Sequence, residues 1–387
     1  MKEEITLNYY KRSFDSVKNT TEMTYNKNIW SISGDFFHST IYKNFHEKLI
    51  NLNVNSIMLV PNKDFELCPE GVIIIDRFNI IDKYLYIPKQ IKVYKQIKRM
   101  RLKKPDWIHS HFLFSGGLIA YWLSKYYKIP FSISVRNTDI NFYLKKFFFL
   151  KWLGIIILKK ANNIVFINPS YKKEFFHKYL PVKIQKQLDS RVRIIPNGID
   201  KFWLENLYTN KRIIERQVNI IQVGEINENK NVLGSIKAVE LLIKNGYNIQ
   251  LSLAGKIVDK EIYEKLIEYD FVNYLGYLDK EQLISQYRNN HIFLLPSFLE
   301  TFGLVYAEAL SQGLPIIYSN DQGFDNQIKG YIVGYGVNPY DPMDIKNKLE
   351  QVIEKYDSIA KHTIDAALTF DWNRIVGEYL SIFGILK

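Results

Sequence analysis

Short apolar runs alternate with longer segments of helical periodicity along most of the 387 residues. Short runs that are rich in aliphatic and β-branched residues are typical of parallel strands that are buried on both faces. The first half of the chain has six candidate strands: Asn28–Ser33, Ser56–Val60, Trp107–His109, Phe131–Val135, Asn163–Ile167 and Val192–Ile195. The second half has five: Val218–Val223, Ile249–Ala254, Val272–Leu275, Ile292–Leu295 and Ile316–Ser319.

Between the candidate strands, the apolar positions repeat with a helical period. Val232, Ile236, Val239 and Ile243 follow one another at spacings of 4, 3 and 4, which predicts one buried stripe on a helix. Strand–helix alternation in both halves predicts an α/β protein with two doubly wound, Rossmann-like domains. The turn signal Pro196–Gly198, which a polar stretch follows, marks the predicted boundary between them.

Composition restricts the class of protein. The chain is 47% hydrophobic and 15% aromatic, which is enough for sizeable cores and excludes a disordered or collagen-like chain. The single cysteine, Cys68, excludes a disulfide framework and a four-thiolate metal site. A reducing, cytoplasmic location is therefore the default expectation.

The net charge of +12 is distributed unevenly. Residues 1–200 contain 33 Lys and Arg against 16 Asp and Glu, whereas residues 201–387 contain 19 against 24. This asymmetry indicates that the first half meets an anionic partner, such as membrane lipid, nucleic acid or a phosphorylated substrate. A lysine-rich soluble surface is the alternative. Because no nucleic-acid motif or stacking platform is recognisable, we expect no nucleic-acid partner.

One segment is both basic and strongly apolar. The longest apolar stretch, Phe147–Leu158, is interrupted by Lys151 and is shorter than the ~20 residues of a membrane-spanning helix. The segment 144–160 could lie in a membrane interface, with its lysines on anionic headgroups, or form a buried helix. The nearby segment Lys89–Lys104 is also basic. Residues 1–10 are polar and acidic, unlike a secretory signal.

The stretch after the strand Ile292–Leu295 is the richest in candidate chemistry. A loop presents Glu300, and a helix is predicted to open near Phe302–Gly303 and to end at Gly313. Free N–H groups at the start of a helix suit a phosphate, and glycine allows a ligand close to the backbone. Glu308 lies at most about 12 Å further along, so one extended ligand could contact both carboxylates.

Glu300 and Glu308, with Pro-Ser before them and Gly-x-Pro after them, resemble the E-x7-E motif of retaining glycosyltransferases with the GT-B fold, in particular glycosyltransferase family 4. Taken singly, Glu300 could be a capping acid and Glu308 a solvated helix residue. The resemblance implies that Glu300 contacts the donor sugar and that Glu308 holds the ribose. It also implies that the donor lies near the residues between them: Thr301, Phe302, Gly303 and Leu304.

Other segments resemble that family in order and spacing. Ile195–Asp200 is similar to its PNGxD linker, and Gln222–Asn231, which contains Gly224 and Lys230, to its G-R-x4-K loop. Tyr274–Tyr277 resembles the family's nucleobase loop, in which Gly276 and Tyr277 would lie. Asp106–His111 resembles its D-x-I-H-x-H segment, and Arg136–Asp139 its H-G-x-D segment. The resemblance therefore runs from about residue 28 to the C-terminus.

The resemblance assigns roles and also shows departures from the family pattern. It implies that Lys230 neutralises the pyrophosphate leaving group. The alternative is that Lys230 is an ordinary surface lysine. The catalytic candidates are Glu300, Lys230, Arg136 and Asp139, and the acceptor-side candidates are Gly34, Asp35, His109 and His111. Glu225 stands where the family usually has arginine, and Arg136 where it usually has histidine. His109 and His111 could also be core histidines, and two histidines alone do not complete a zinc site.

The implied function is a retaining, metal-independent transferase without a cofactor, which moves a sugar from a nucleotide-diphosphate sugar to a glycan or lipid-linked acceptor. The chain contains no D-x-D triplet, with which glycosyltransferases of the other main fold hold a divalent cation, and this agrees with a metal-independent reaction. The expected setting is bacterial capsule, lipopolysaccharide or exopolysaccharide synthesis, in the cytoplasm or peripherally on the inner membrane face. The alternative is a degenerate GT-B scaffold or partner protein.

The expected domains are an acceptor-binding domain (1–198) and a donor-binding domain (199–371), which face each other across a cleft. A final helix (372–387) is expected to pack back on the first domain.

Overall fold

The computed structural model describes residues 25–61, 68–75 and 85–386. The chain divides into two compact units, each of which is described by itself. The first unit contains the described residues up to Ile167, together with Lys173–Ile195 and the segment from Trp372 onward. The second contains Asn168–Lys172 and Pro196–Asp371. The division after Ile195 lies close to the predicted boundary at Gly198, but the prediction had placed residues 168–172 in the first domain.

The first unit is built on a parallel sheet. Its strands are β1 (Tyr25–Ile32), β2 (Val54–Val60), β3 (Val72–Ile74), β4 (Trp107–Ser110), β5 (Phe131–Val135), β6 (Asn163–Phe166) and β7 (Val192–Ile194). Their spatial order is β3-β2-β1-β4-β5-β6-β7. The helices in this part of the chain are α1 (Thr40–Asn51), α2 (Tyr86–Arg99), α3 (Gly117–Tyr127), a π-helical turn (Thr138–Leu144), α4 (Leu150–Lys160), α5 (Pro169–Tyr179), α6 (Val182–Leu188) and a 3₁₀ turn (Asp189–Arg191).

The second unit repeats this architecture. Its strands are β8 (Val218–Val223), β9 (Ile249–Ala254), β10 (Val272–Gly276), β11 (Ile292–Leu295), β12 (Ile316–Ser319) and β13 (Gly334–Val337), in the parallel order β10-β9-β8-β11-β12-β13. The helices are α7 (Lys201–Glu205), a 3₁₀ turn (Glu228–Lys230), α8 (Val232–Lys244), α9 (Lys260–Leu266), α10 (Lys280–Asn289), α11 (Leu304–Ser311), α12 (Pro342–Glu354), α13 (Tyr356–Ala360) and α14 (Thr363–Leu368). The prediction of two Rossmann-like α/β domains is confirmed.

Two edge strands, β3 and β13, escaped the prediction from sequence. β3 has three residues, and β13 has the sequence Gly-Tyr-Gly-Val, in which glycine is a poor strand former. Gly334 is nevertheless required there, because a Cβ atom would lie 1.7 Å from the carbonyl oxygen of Ile316 on β12. The close approach of two backbones therefore explains this glycine.

The last helix, α15 (Trp372–Ile382), belongs to the first unit and contacts α1. Ile375 and Tyr379 lie in the same apolar cluster as Ile29 of β1 and Phe45 of α1. Helix α15 ends at Ile382, a few residues earlier than the predicted segment. Among the described residues, no helix is long and apolar enough to cross a bilayer.

The topology of the second unit determines which loops meet. β8 pairs in parallel with β11, so the carboxyl ends of the two strands lie at the same edge of the sheet. The loop that leads from β8 to α8 and the loop that leads from β11 to α11 both begin at that edge. Ligands of doubly wound sheets bind at this edge.

Candidate active site

Lys230 and Glu300 form an ion pair between the two loops. Lys230 Nζ lies 2.7 Å from Glu300 Oε2, and the side chains are only 20% and 11% exposed. The attraction between such shielded charges is screened by water less than that of an exposed surface pair. The sequence singled out both residues, but it did not indicate that they bind each other.

The backbone around Lys230 is held by side-chain amides. The side chain of Asn227 accepts a hydrogen bond from the Lys230 backbone N–H at 3.0 Å, and Gln222 Nε2 donates to the Lys230 carbonyl oxygen at 2.7 Å. The aliphatic part of Lys230 lies over Gly224, where an added Cβ atom would be 3.4 Å from its Cε. Glu225, in the place of the family's arginine, is exposed and accepts a hydrogen bond from Asn227 Nδ2 at 3.0 Å.

A second set of amides holds the loop that carries Glu300. Asn229 bonds to both backbone groups of Leu299: its Oδ1 accepts from the N–H at 2.9 Å and its Nδ2 donates to the carbonyl oxygen at 3.0 Å. Gln322 Oε1 accepts from the Glu300 N–H at 3.0 Å, and Gly323 N–H donates to the Glu300 carbonyl oxygen at 2.8 Å. Asn229 and Gln322 were missed by the sequence reasoning, because each acts from a loop that is distant in sequence from Glu300.

The turn into α11 depends on Gly303. Its φ of +72° is left-handed, and an added Cβ atom would lie 2.4 Å from the Tyr306 ring. Glycine is therefore the residue that fits this turn. The helix begins at Leu304, slightly later than predicted. Phe302 is 3% exposed, and its ring centre lies 5.8 Å from that of Phe370, so its side chain belongs to the core.

The residue before Phe302 is also held by a side-chain amide. Asn168, in the short segment that groups with the second unit, donates from Nδ2 to the Thr301 carbonyl oxygen at 2.9 Å. Its own Oδ1 accepts from the Tyr171 N–H at 2.6 Å. Asn168 is fully buried, so the backbone at Thr301 has a fixed position.

Glu308 lies near the charged residues Lys280 and Asp200. Burial raises the pKa of the Glu308 carboxyl to about 7; Lys280 lowers this pKa and Asp200 raises it. Lys280 also forms an ion pair with Asp200. Glu308 is therefore a carboxyl group that titrates near neutral pH.

The predicted nucleobase loop presents an exposed aromatic ring. Gly276, at the end of β10, has a left-handed φ of +75°, and an added Cβ atom would meet no atom within 4 Å. Tyr277 is 66% exposed, and Lys256 Nζ lies 4.9 Å from its ring centre. The ring of Tyr277 is thus accessible to a flat ligand, and Lys256 is a neighbouring cation that the sequence reasoning had not named.

In the first unit, Asp139 binds backbone groups. Its carboxylate accepts from the N–H groups of Leu113 (3.0 Å), Phe114 (2.9 Å) and Arg136 (2.9 Å). Burial raises the pKa of Asp139 to about 6, whereas these hydrogen bonds lower it. The arrangement favours a positioning role for Asp139, which holds the loops after β4 and β5 together. Arg136 is buried, and its guanidinium carbon lies 5.8 Å from the Tyr42 ring centre.

The two predicted histidines are buried side by side, with ring centres 4.7 Å apart. His109 Nδ1 is 2.8 Å from Ser132 Oγ and Nε2 is 3.3 Å from Ser134 Oγ. Burial, and secondarily Arg136, lowers the pKa of His109 to about 3, so its ring is neutral. Within the described part of the chain, neither ring nitrogen of His111 has a hydrogen-bond partner. His109 therefore has the contacts of a core histidine.

Gly34 and Asp35 follow β1 in the first unit. An added Cβ atom at Gly34 would meet no atom within 4 Å, and Asp35 is exposed. Both positions are thus accessible to a ligand. Across residues 25–61, 68–75 and 85–386, no group of three or more His, Cys, Asp or Glu side chains could hold a metal ion.

Comparison with known protein families gives two matches. The model described as glycosyl transferases group 1 matches residues 206–368, and the model described as glycosyltransferase family 4 matches residues 39–201. The match to glycosyl transferases group 1 lies in the second unit. The match to glycosyltransferase family 4 covers most of the sheet of the first unit. The expected family resemblance is confirmed for both halves of the chain.

Among curated proteins, the chain is 28% identical over 246 residues to alpha-monoglucosyldiacylglycerol synthase of Acholeplasma laidlawii. This alignment covers 59% of this chain and 62% of that protein. It is 27% identical over 178 residues to the capsular polysaccharide biosynthesis glycosyltransferase CapM of Staphylococcus aureus, which covers 43% and 46%. The matches thus span less than two thirds of each of these relatives.

Among solved structures, the chain resembles the apo form of the lipopolysaccharide outer core galactosyltransferase WaaB, with a TM-score of 0.71, 17% identity and coverage of 93% of this chain and 100% of that one. It also resembles Anabaena HepE in complex with UDP and glucose, with a TM-score of 0.64, 13% identity and coverage of 93% and 100%. These likenesses show a shared fold.

Proposed function

Because the chain belongs to the group 1 glycosyl transferases and has their GT-B fold, we propose that it transfers a sugar from a nucleotide-diphosphate sugar to a glycan or lipid-linked acceptor. The observation that carries this proposal is the shielded pair of Lys230 and Glu300 at the carboxyl ends of β8 and β11. Relatives named for capsule and glycolipid synthesis support a role in bacterial surface polysaccharide.

In this proposal, Lys230 stabilises the leaving group. Its ammonium has three N–H donors, so one can stay on Glu300 while the others meet the diphosphate. When the bond between the anomeric carbon and the phosphate oxygen breaks, negative charge develops on the diphosphate. Stabilisation of such charge by a preorganised cation is usually a large catalytic contribution. Lys230 thereby supplies the positive charge that a divalent metal supplies in other enzymes, which supports a metal-independent reaction.

The remaining donor contacts follow the same proposal. Glu300 accepts hydrogen bonds from sugar hydroxyls, and Glu308 accepts them from the ribose. The exposed ring of Tyr277 stacks on the nucleobase, and the N–H groups at Gly303 and Leu304 face the phosphates. The acceptor hydroxyl forms the new bond to the anomeric carbon as the bond to the diphosphate oxygen breaks, and its proton passes to the departing diphosphate. The retained configuration rests on family resemblance.

The acceptor contacts are assigned to the first unit. Gly34 and Asp35 are accessible there, and the buried Arg136 lies at the end of β5. Because the relatives include a glycolipid synthase, a lipid-linked acceptor at the inner face of the cell membrane fits the basic first unit.

Nucleotide binding is the direct test of this proposal. We expect one of UDP, GDP or ADP to raise the melting temperature of the whole chain. A ligand at 100 times its dissociation constant adds about 2.7 kcal/mol to the free energy of unfolding. Lys230→Ala should reduce the shift, whereas Lys237→Ala, an exposed lysine on α8, should keep it. If no nucleotide raises the melting temperature, the proposal is wrong. If a nucleotide binds but the matching nucleotide sugars are neither hydrolysed nor transferred, the chain is a scaffold.

A second test uses the carboxyl group of Glu308. With a pKa of about 7, it is about 10% ionised one pH unit below and about 90% ionised one unit above. Ribose hydroxyls donate best to the ionised form, so the KM for the nucleotide sugar should fall about tenfold from pH 6 to pH 8. Glu308→Gln should make KM nearly independent of pH with little change in kcat, because this contact changes little between ground and transition states. A pH-independent KM in the wild type would exclude this role.

A further inference from the structure

Three neighbouring helices of the first unit lack acidic residues altogether. Helix α3 contacts both α2 and α4. Together the three helices contain nine Lys and Arg and no Asp or Glu. The turn before α4 adds the exposed Lys145 and Lys146. An anionic surface that approaches this layer therefore meets positive charge on every helix.

The same layer exposes large apolar side chains. Phe148 is 79% exposed, Trp152 64% and Ile156 50%, at a regular spacing of four residues. Residues four apart lie on one side of a helix, so Trp152 and Ile156 form an outward stripe that Phe148 extends. Ile155 and Ile157 of the same helix are buried. Helix α4 is therefore apolar on its inner side and on part of its outer side, which a helix at an ordinary solvated surface is not.

Lysines lie beside these exposed rings. Lys151 Nζ is 5.8 Å from the Trp152 ring centre, and Lys98 Nζ of α2 is 3.9 Å from the ring centre of Tyr126 of α3. Tyr126 is 52% exposed. A groove on this side is lined by Ile91, Tyr94, Lys95, Trp122, Lys125 and Tyr126. Aromatic rings beside ammonium groups are typical of protein surfaces that lie at the boundary between lipid acyl chains and headgroups.

We infer that the outer face of α2, α3, α4 and the turn 145–149, here called the basic aromatic face, docks on an anionic lipid bilayer. Phe148, Trp152 and Ile156 enter the boundary of the acyl chains, and the lysines bind the phosphate groups of the lipids. The charge complementarity of an all-basic layer argues for a lipid surface over a second copy of the chain, because two such faces repel each other. The inference deepens the proposed function by naming the surface on which the protein works. It rests on the proposed function only for the reason why the protein would dock, which is access to a lipid-linked acceptor.

Vesicle sedimentation of the full chain, without donor or acceptor, tests this inference. We expect binding to phosphatidylglycerol-containing vesicles, little binding to pure phosphatidylcholine vesicles, and weaker binding at 1 M salt, where charges are screened over about 3 Å. Phe148→Ser/Trp152→Ser and, separately, Lys159→Gln/Lys160→Gln should each weaken binding at least tenfold, because each double variant removes two contacts with the bilayer. The matched control is Ile267→Ser/Lys265→Gln, two exposed residues of the second unit, which should bind as wild type.

Equal partition onto both kinds of vesicle, no binding, or loss of binding in the control but not in the face variants would overturn the inference. So would a concentration-dependent dimer that the face variants abolish while vesicles stay unbound. A cooperative thermal unfolding transition near that of wild type, measured without ligand, shows that each variant is folded. Because vesicle binding needs no nucleotide, its failure leaves the proposed transfer reaction intact. A failed nucleotide test, in turn, leaves the docking face intact.

Discussion

Replacement of Lys230 or Glu300 by alanine is expected to lower turnover about 100-fold or more. Loss of one strong transition-state contact costs roughly 2.7–4 kcal/mol. Lys230→Ala removes the cation that stabilises the diphosphate, and Glu300→Ala removes the carboxylate that orders both the sugar and the lysine. The measurement is kcat with the true nucleotide sugar and acceptor, and Lys237→Ala is the matched lysine control.

The double variant adds a sharper test, because Lys230 and Glu300 are in contact at 2.7 Å. Residues that share one interaction are not additive, so the double variant should lose less than the product of the single losses. Glu300→Gln keeps an oxygen that accepts hydrogen bonds but removes the charge, so its kcat should lie between those of wild type and Glu300→Ala. If Lys230→Ala and Glu300→Ala both keep wild-type turnover, the site assignment is wrong and a scaffold role gains support.

The largest effect on stability is expected at Asp139. Asp139→Ala removes the acceptor of three buried N–H groups, those of Leu113, Phe114 and Arg136. A buried donor without a partner costs about 1–3 kcal/mol, so the free energy of unfolding should fall by about 3 kcal/mol or more. Chemical denaturation of the full chain measures this loss.

Two further variants show whether Asp139 acts through its hydrogen bonds. Asp139→Asn keeps one acceptor oxygen, so its loss of stability should be smaller than that of Asp139→Ala. Asp270→Ala removes an exposed carboxylate of the second unit and should change stability by no more than about 0.5 kcal/mol. If Asp139→Ala is as stable as Asp270→Ala, the loops after β4 and β5 do not depend on this carboxylate.

Most strands were predictable from sequence, including the edge strands β7 and β10, whereas the edge strands β3 and β13 were not. Ile292–Leu295, with the sequence Ile-Phe-Leu-Leu, has the same bounds in the prediction and in the structure, because a strand that is buried on both faces is a continuous apolar run. β13 is mostly glycine and tyrosine, so its sequence lacks that signal. Its place beside β12 depends on the close backbone approach at Gly334, which only the assembled sheet creates.

The identity of the candidate site residues also came from local sequence. The spacing of Glu300 and Glu308, and a lysine after the glycine that follows β8, are patterns within short segments. The contact between Lys230 and Glu300 joins residues 70 positions apart and depends on the pairing of β8 with β11. The amide contacts of Asn229 and Gln322 are equally non-local, and isolated Asn and Gln residues in loops have no pattern that distinguishes them.

For the segment 144–160, the sequence determined the chemical character, and only the tertiary structure determined which side chains are exposed. Its composition determined that it is basic, apolar and too short to span a bilayer, because those properties depend only on residue types and length. It left a buried helix and an interfacial helix as equal alternatives. The packing of α4 against α3 decided that Ile155 and Ile157 face inward while Trp152 and Ile156 face outward, because only the neighbours of a helix determine which of its apolar sides is covered.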